Sequence, residues 1–216
     1  MTPLLPLSKE QIASRQKTLL WALLLSLWGP FALGVALFLG RSTTQLADFI
    51  RRSVELIALF VSWWTFRHLA RHPLMEAAAR AKLSRVAALS VAAAMICSGL
   101  VMIAVAIFRL FNFQPGGNVY LGLVIASLGL LTNGWFWRRY TVMSREHYNP
   151  IIAAQRQLYQ AKTFVDGCVI IALAVVAMAP APAVTRYADL LGAVAVAIYL
   201  LWSGARTARQ VAAVTP

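Results

Sequence analysis

The sequence predicts an all-α membrane protein, a bundle of about six transmembrane helices. Hydrophobic residues make up 60% of the chain and charged residues only 12%, whereas a soluble domain is nearer half apolar and about a quarter charged. The apolar residues also fall in long continuous runs. This favours helices, because the strands of a membrane barrel alternate between polar and apolar side chains over shorter segments.

Six runs approach the roughly 20 apolar residues that a helix needs to cross the hydrocarbon core. They are 18–40, 46–69, 86–108, 119–137, 162–179 and 188–204. A more polar helix that starts near Ile151 is predicted to extend the fifth run backwards. The breaks hold turn residues that interrupt helices, such as Gly116-Gly117 and Asn149-Pro150.

Basic residues mark one side of the predicted bundle. Lys and Arg are concentrated in segments 9–17, 67–85, 138–156 and 206–209, while the opposite loops hold only Arg41, Arg109 and Arg186. Because Lys and Arg accumulate on the cytoplasmic side, both termini are predicted to be cytoplasmic. The chain then divides into a cytoplasmic segment 1–17, a six-helix transmembrane domain 18–206 and a short cytoplasmic tail 207–216.

This asymmetry also explains most of the net charge of +13. In a soluble protein such a charge would suggest nucleic acid, but here no basic run is interleaved with aromatic residues as a nucleic-acid platform would be. The predicted surroundings are a lipid bilayer, the inner or plasma membrane of a bacterium, and nucleic acid is not expected as a partner.

Two pairs of ionisable residues stand out inside the predicted spans. Arg51 and Glu55 lie in the second run, and Lys162 and Asp166 in the fifth. Each pair has a spacing of four, so its members share one helix face, and an ionisable side chain at mid-bilayer costs about 2.5–3.5 kcal/mol. Two interpretations stay open. One is a polar site that binds or relays a solute, and the other is an ion-pair cluster that joins two helices.

Three more polar residues are expected to support these four. Asp48 precedes them on the second run. Arg52 either extends to the outer interface or joins the cluster. Asn133, in the fourth run, is expected to form a hydrogen bond across helices.

The remaining reactive side chains indicate neither a metal site nor an enzyme. Both cysteines, Cys97 and Cys168, lie in apolar runs and are expected to pack as small apolar residues. The three histidines lie at span ends or in loops; they are His68, His72 and His147. No nucleophile–base pair or phosphate-binding loop is evident, so we do not expect an enzyme. The basic segment 72–85 is interpreted as a solvated connector rather than a lipid-binding one.

Several motifs recur in order along the spans. The second run contains LADFIRRSVE at 46–55, and the third contains CSGL at 97–100 and IFRL at 107–110. The fourth contains LLTNG at 130–134, and the sixth runs from Asp189 to SGAR at 203–206. Together they resemble the transmembrane domain of the cation diffusion facilitators, over about residues 19–210.

The resemblance implies a six-helix bundle, generally a homodimer, that exports divalent metals, typically zinc, in exchange for protons. Its transport site takes a His or Asp, and an Asp four residues later, from the second span, with a similar pair from the fifth. Those positions are Arg51 and Glu55, then Lys162 and Asp166. One carboxylate remains in each pair, but the other member is a cation. Neither arginine nor protonated lysine has a lone pair for zinc, so no metal or cofactor is expected.

Two function classes follow. The favoured one is a cation/proton-linked transporter in which Arg51 and Lys162 replace the charge of the metal and pair with Glu55 and Asp166, within each helix or between helices. The alternative is a non-transporting relative that acts as a membrane scaffold or partner subunit. Ordinary zinc export is disfavoured, and the expected lack of a C-terminal metal-sensing domain and of a His-rich loop agrees with this.

Overall fold

The protein is described by a computed structural model that covers residues 8–39, 43–112, 119–178 and 182–213. Within these ranges the chain forms six α-helices. They are α1 (Lys9–Leu39), α2 (Thr43–Arg71), α3 (Ala77–Phe111), α4 (Val119–Glu146), α5 (Pro150–Met178) and α6 (Pro182–Ala213). The predicted all-α fold and the number of helices are confirmed.

The helices extend beyond the apolar runs at their basic ends. The predicted polar extension of the fifth run is confirmed, since α5 begins at Pro150. Asn149 caps this start, because its side-chain oxygen accepts a hydrogen bond from the backbone N–H of Ile151 at 2.9 Å. Similarly, α6 continues to Ala213, past the position where the sequence suggested the start of a tail, because alanine, arginine and glutamine favour helix.

Among the residues that the structure describes, three helical segments are long and apolar enough on their own to cross a membrane: Ala77–Phe111, Pro150–Met178 and Leu190–Ala213. In α2 the hydropathy is lowered by Arg51, Arg52 and Glu55, which lie within its apolar stretch. The polar residues of α2 therefore need partners inside the bundle rather than lipid.

The outer surface of the bundle is strongly apolar. Large side chains such as Trp28, Phe31, Leu131 and Ile198 are all more than half exposed. Soluble proteins rarely expose apolar surface on this scale, so this surface fits contact with acyl chains. The core contains many buried apolar residues such as Leu59, together with buried polar side chains such as Arg15 and Glu55.

Helices α3 and α6 pack against each other along much of their length, and glycine allows the close approach. A Cβ atom at Gly204 would lie 2.7 Å from Cγ1 of Ile96 and 3.0 Å from the carbonyl oxygen of Ala92. A Cβ at Gly99 would lie 2.8 Å from Cγ of Leu201. Small residues at such contacts let two membrane helices approach closely, where van der Waals packing holds them together.

Arginine side chains form hydrogen bonds between helix ends at both ends of the bundle. Near the start of α1, the buried Arg15 donates hydrogen bonds to the carbonyl oxygens of Met143 (2.8 Å) and His147 (3.2 Å) at the end of α4. Near the start of α6, Arg186 donates to the carbonyl oxygen of Leu110 at 2.8 Å, close to the end of α3. Carbonyls at helix ends often lack intrahelical partners, so both arginines provide donors there; the carbonyl of Met143 also accepts a hydrogen bond from the backbone N–H of His147 at 3.4 Å.

Candidate transport site

A polar cavity of about 340 Å3 lies between α1, α2, α4 and α5. It is lined by five charged residues, three of them cations and two of them carboxylates: Arg51, Arg52, Lys162, Glu55 and Asp166. Asn133 also lines it. Of the residues predicted from the sequence, six therefore surround one cavity; the seventh, Asp48, lies on α2 with its side chain outside the described residues.

The main contact in the cavity joins α5 to α2. The Lys162 ammonium lies 3.0 Å from Oε2 of Glu55, and the two side chains are 15% and 8% exposed. Ser98 of α3 donates a hydrogen bond to the other carboxylate oxygen of Glu55 at 3.2 Å. Lys162 Nζ also lies 5.3 Å from the centre of the Tyr159 ring, close enough for a cation–π contact. Lys162 and Glu55 thus form an ion pair between helices.

One helical turn further along α5, Asp166 contacts α4. The side-chain amide of Asn133 donates a hydrogen bond to Oδ2 of Asp166 at 2.7 Å. This confirms the prediction that Asn133 bonds across helices. Gly129 makes room for the carboxylate, because a Cβ at that position would lie 3.0 Å from Oδ2 and 3.2 Å from Cγ of Asp166. The carboxylate of Asp166 therefore lies directly against α4.

Arg52 lies inside the bundle, against α1. A Cβ atom at Gly29 would meet Cδ and Nη1 of Arg52, each at 3.2 Å. Of the two alternatives for this residue, the structure therefore favours membership of the cluster over extension to the outer interface. Arg51 lines the same cavity.

Aromatic and amide side chains lie between the cavity and the start of α5. The Tyr159 ring lies 4.9 Å from the ring of Phe136 and 5.4 Å from that of Tyr140, centre to centre. One turn earlier on α5, Gln155 is fully buried and donates a hydrogen bond to Oγ of Ser62 at 2.9 Å. This layer separates the charged groups from the end of the bundle that holds Arg15.

The comparison with known families agrees with this architecture. A family model described as the cation efflux transmembrane domain matches residues 19–214. The chain belongs to the cation efflux family. The match runs from the first half of α1 to the end of α6, and it confirms a multi-pass membrane protein that is not an enzyme. A search of curated proteins finds no match to this chain.

The charged cavity of this cation efflux domain differs from a clustered set of metal ligands. Among the residues that the structure describes, no group of three or more His, Cys, Asp or Glu side chains is close enough to hold a metal ion. Glu55 and Asp166 line one cavity, but each has a nitrogen donor against it.

Sequence reasoning missed four residues around the cluster: Ser62, Ser98, Gln155 and Tyr159. On α5 the polar residues are spaced by four, three and four, since they fall at 155, 159, 162 and 166. That period places them on one helix face, so the face was detectable from the sequence. Ser98 was not, because one serine in an apolar run gives no indication of its partner.

Proposed function

We propose that this cation efflux domain is a cation/proton-linked transmembrane transporter in which an ion-pair cluster replaces the metal site. The centre of the cluster is formed by Arg51, Glu55, Lys162 and Asp166, with Arg52 beside them. The supporting observation is the Lys162–Glu55 contact of 3.0 Å inside the cavity. Ionisable residues within membrane spans usually mark ion or solute pathways.

The contacts of Glu55 argue against a divalent metal as the bound cargo. To reach this carboxylate, a metal ion would have to displace the Lys162 ammonium. It would also approach Arg51 and Arg52, which line the same cavity and remain protonated in proteins. Tetrahedral zinc needs four donor atoms, and the cationic side chains provide none. The cargo we favour is therefore a proton or a small monovalent cation.

Within the cluster, we assign Asp166 as the proton acceptor. Its carboxylate borders the cavity and takes a hydrogen bond from the neutral amide of Asn133. Glu55 is less suited to this role, because its protonation would remove the charge that Lys162 faces at 3.0 Å. Proton binding at Asp166 would alter the contact between α5 and α4, which links protonation to helix position.

Flux in proteoliposomes tests this proposal. An imposed pH gradient should drive proton movement through the wild type, which a trapped pH-sensitive dye would report. Asp166→Asn should lower the rate of proton movement at least about tenfold, because proton transfer groups contribute about 10²–10⁴-fold to rates. Glu146→Gln, a carboxylate change at the end of α4 outside the cavity, is the matched control. The proposal is wrong if no proton, metal or organic cation moves, or if Asp166→Asn transports like the control.

A second candidate is a non-transporting relative that acts as a scaffold or partner subunit. It is favoured by the same ion pair, since Lys162 and Glu55 satisfy each other and are buried. This candidate predicts no flux from any solute and a loss of stability when one partner is removed. The homodimer implied by the family stays a proposal, which the molar mass of the purified protein by light scattering would test.

A further inference from the structure

The C-terminal end of α2 carries two rows of aromatic and basic side chains, which begin eight residues after Glu55 on the same helix. In the first row, the ring of His68 stacks on that of Trp64 at 5.4 Å and lies 4.6 Å from the ring of His72. In the second, the guanidinium carbon of Arg67 lies 5.2 Å from the centre of the Trp63 ring. Contact with the indole orients the Arg67 guanidinium.

These rows border a pocket that we call the α2-end pocket. It has a volume of about 320 Å3 and is lined by Trp63, Trp64, Arg67, His68, Arg71 and His72. An adjoining space of about 470 Å3 shares His68, Arg71 and His72 with it and continues along 73–75. Arg80 donates to the carbonyl oxygens of His72 and Pro73, each at 3.2 Å, and so fixes the loop beside the pocket.

The chemistry of the α2-end pocket fits an anion better than a metal. Two histidines alone provide two ligands, and among the described residues no third His, Cys, Asp or Glu joins them. Arg67 and Arg71 would repel a cation. For a phosphate, by contrast, arginine offers a planar fork of N–H donors, and each neutral histidine adds one ring N–H.

The surroundings of the pocket indicate lipid rather than water as the source of that anion. Ile57, Phe60 and Trp64 are 61%, 50% and 50% exposed and follow one another along the outer face of α2. This apolar stripe ends at the pocket, and Leu74, on the adjoining loop, is 98% exposed. Tryptophan is enriched at the level of lipid headgroups, so the pocket lies where acyl chains give way to phosphates.

We propose that the α2-end pocket binds the phosphate of an anionic glycerophospholipid in the leaflet that the basic segment 67–85 faces. The acyl chains of the lipid lie along the stripe formed by Ile57, Phe60 and Trp64, and Arg67 and Arg71 bind its phosphate. The start of segment 72–85, at His72, is then part of a lipid-binding element and not a solvated connector. This site shares no residue with the charged cavity, so it does not depend on the proposed transport.

Native mass spectrometry of the purified full-length protein tests the proposal with phosphatidylglycerol and phosphatidylcholine of identical chains. Phosphatidylglycerol should bind more tightly, and Arg67→Gln with Arg71→Gln should weaken its binding about 30-fold, given the contribution of two basic residues near an anionic surface. The matched control is Arg206→Gln with Arg209→Gln at the end of α6. It removes the same charge, and Arg206 also lies over an indole, that of Trp202, at 5.3 Å.

Arg71→Gln alone distinguishes a loss of lipid binding from misfolding, because Arg71 is exposed and its substitution should leave the helix content intact. This variant should weaken lipid binding about fivefold. Three outcomes would overturn the proposal. The two lipids bind equally, the two double variants lose binding equally, or inorganic phosphate at millimolar concentration displaces the lipid. The second outcome would indicate that lipid binding depends on the total positive charge and not on this pocket. The third would indicate that the pocket binds a soluble anion.

Discussion

Removing one partner of the Lys162–Glu55 pair should destabilise the protein far more than removing both. Two unit charges 3.0 Å apart attract by about 5.5 kcal/mol at an effective dielectric constant of about 20. Their desolvation offsets much of this energy while both are present, but a single remaining charge keeps its desolvation cost without the attraction. Glu55→Gln and Lys162→Met should therefore each lower the free energy of unfolding by about 3–5 kcal/mol.

The double variant Glu55→Leu with Lys162→Met should be within about 1 kcal/mol of the wild type, because well-packed apolar residues often replace a buried ion pair without loss. Unfolding would be followed by circular dichroism in mixed micelles of rising SDS fraction, with Glu146→Gln as the control. Single variants that cost less than about 1 kcal/mol, or a double variant whose loss equals the sum of the singles, would refute the reasoning. A stable double variant that still transports would show that the pair is not the transport centre.

The same unfolding assay tests three further predictions, which involve four substitutions. Gly129→Ala should lower the free energy of unfolding by about 1 kcal/mol, because the new Cβ would lie 3.0 Å from Oδ2 of Asp166. Gly167→Ala should instead stabilise α5 by up to about 1 kcal/mol, because its Cβ would meet no atom within 4 Å. Gly204→Ala should cost about 1–3 kcal/mol, because its Cβ would meet the backbone of α3 at 3.0 Å. Arg15→Met should cost about 1.5–3 kcal/mol by removing charge-assisted hydrogen bonds to two carbonyl groups at the end of α4.

Each of these three has its own contrary result. Equal effects of alanine at Gly129 and Gly167 would mean that Asp166 is not held against α4. For the α3–α6 contact, Gly204→Ala is compared with Gly192→Ala, whose Cβ would lie at an ordinary 3.7 Å from Ala172. Equal losses of unfolding free energy in these two variants would contradict the prediction. An unchanged unfolding curve for Arg15→Met would show that water satisfies those carbonyl groups equally well.

The sequence predicts the helices and their order because continuous apolarity and turn residues are local properties. The ends are less well predicted, since the basic stretches that open α3 and close α6 are polar yet still favour helix. The spacing of four at Arg51 and Glu55, and again at Lys162 and Asp166, indicated charged helix faces. It fitted pairs within a helix as well as pairs between helices, and the choice depends on how α2 and α5 face each other.

Residues that contact the cluster from other helices were harder to find. Ser98 lies on α3 and donates to Glu55, a relation that only the packing of α3 against α2 establishes. The sequence also gave no indication of the role of Gly129, because that role is to leave space for Asp166. The aromatic and basic residues at the end of α2 can be read from the sequence. That they line one pocket depends on the direction in which each side chain points from the helix, which the sequence does not give.

The two contacts of α5 limit how this helix can rotate within the bundle. Lys162 is bound to α2 and Asp166 to α4, and these residues are one turn apart on the same side of one rod-like helix. A turn of α5 about its own axis that separates one contact also separates the other. Such a rotation would therefore lose the contacts of α5 with α2 and with α4 together rather than one after the other.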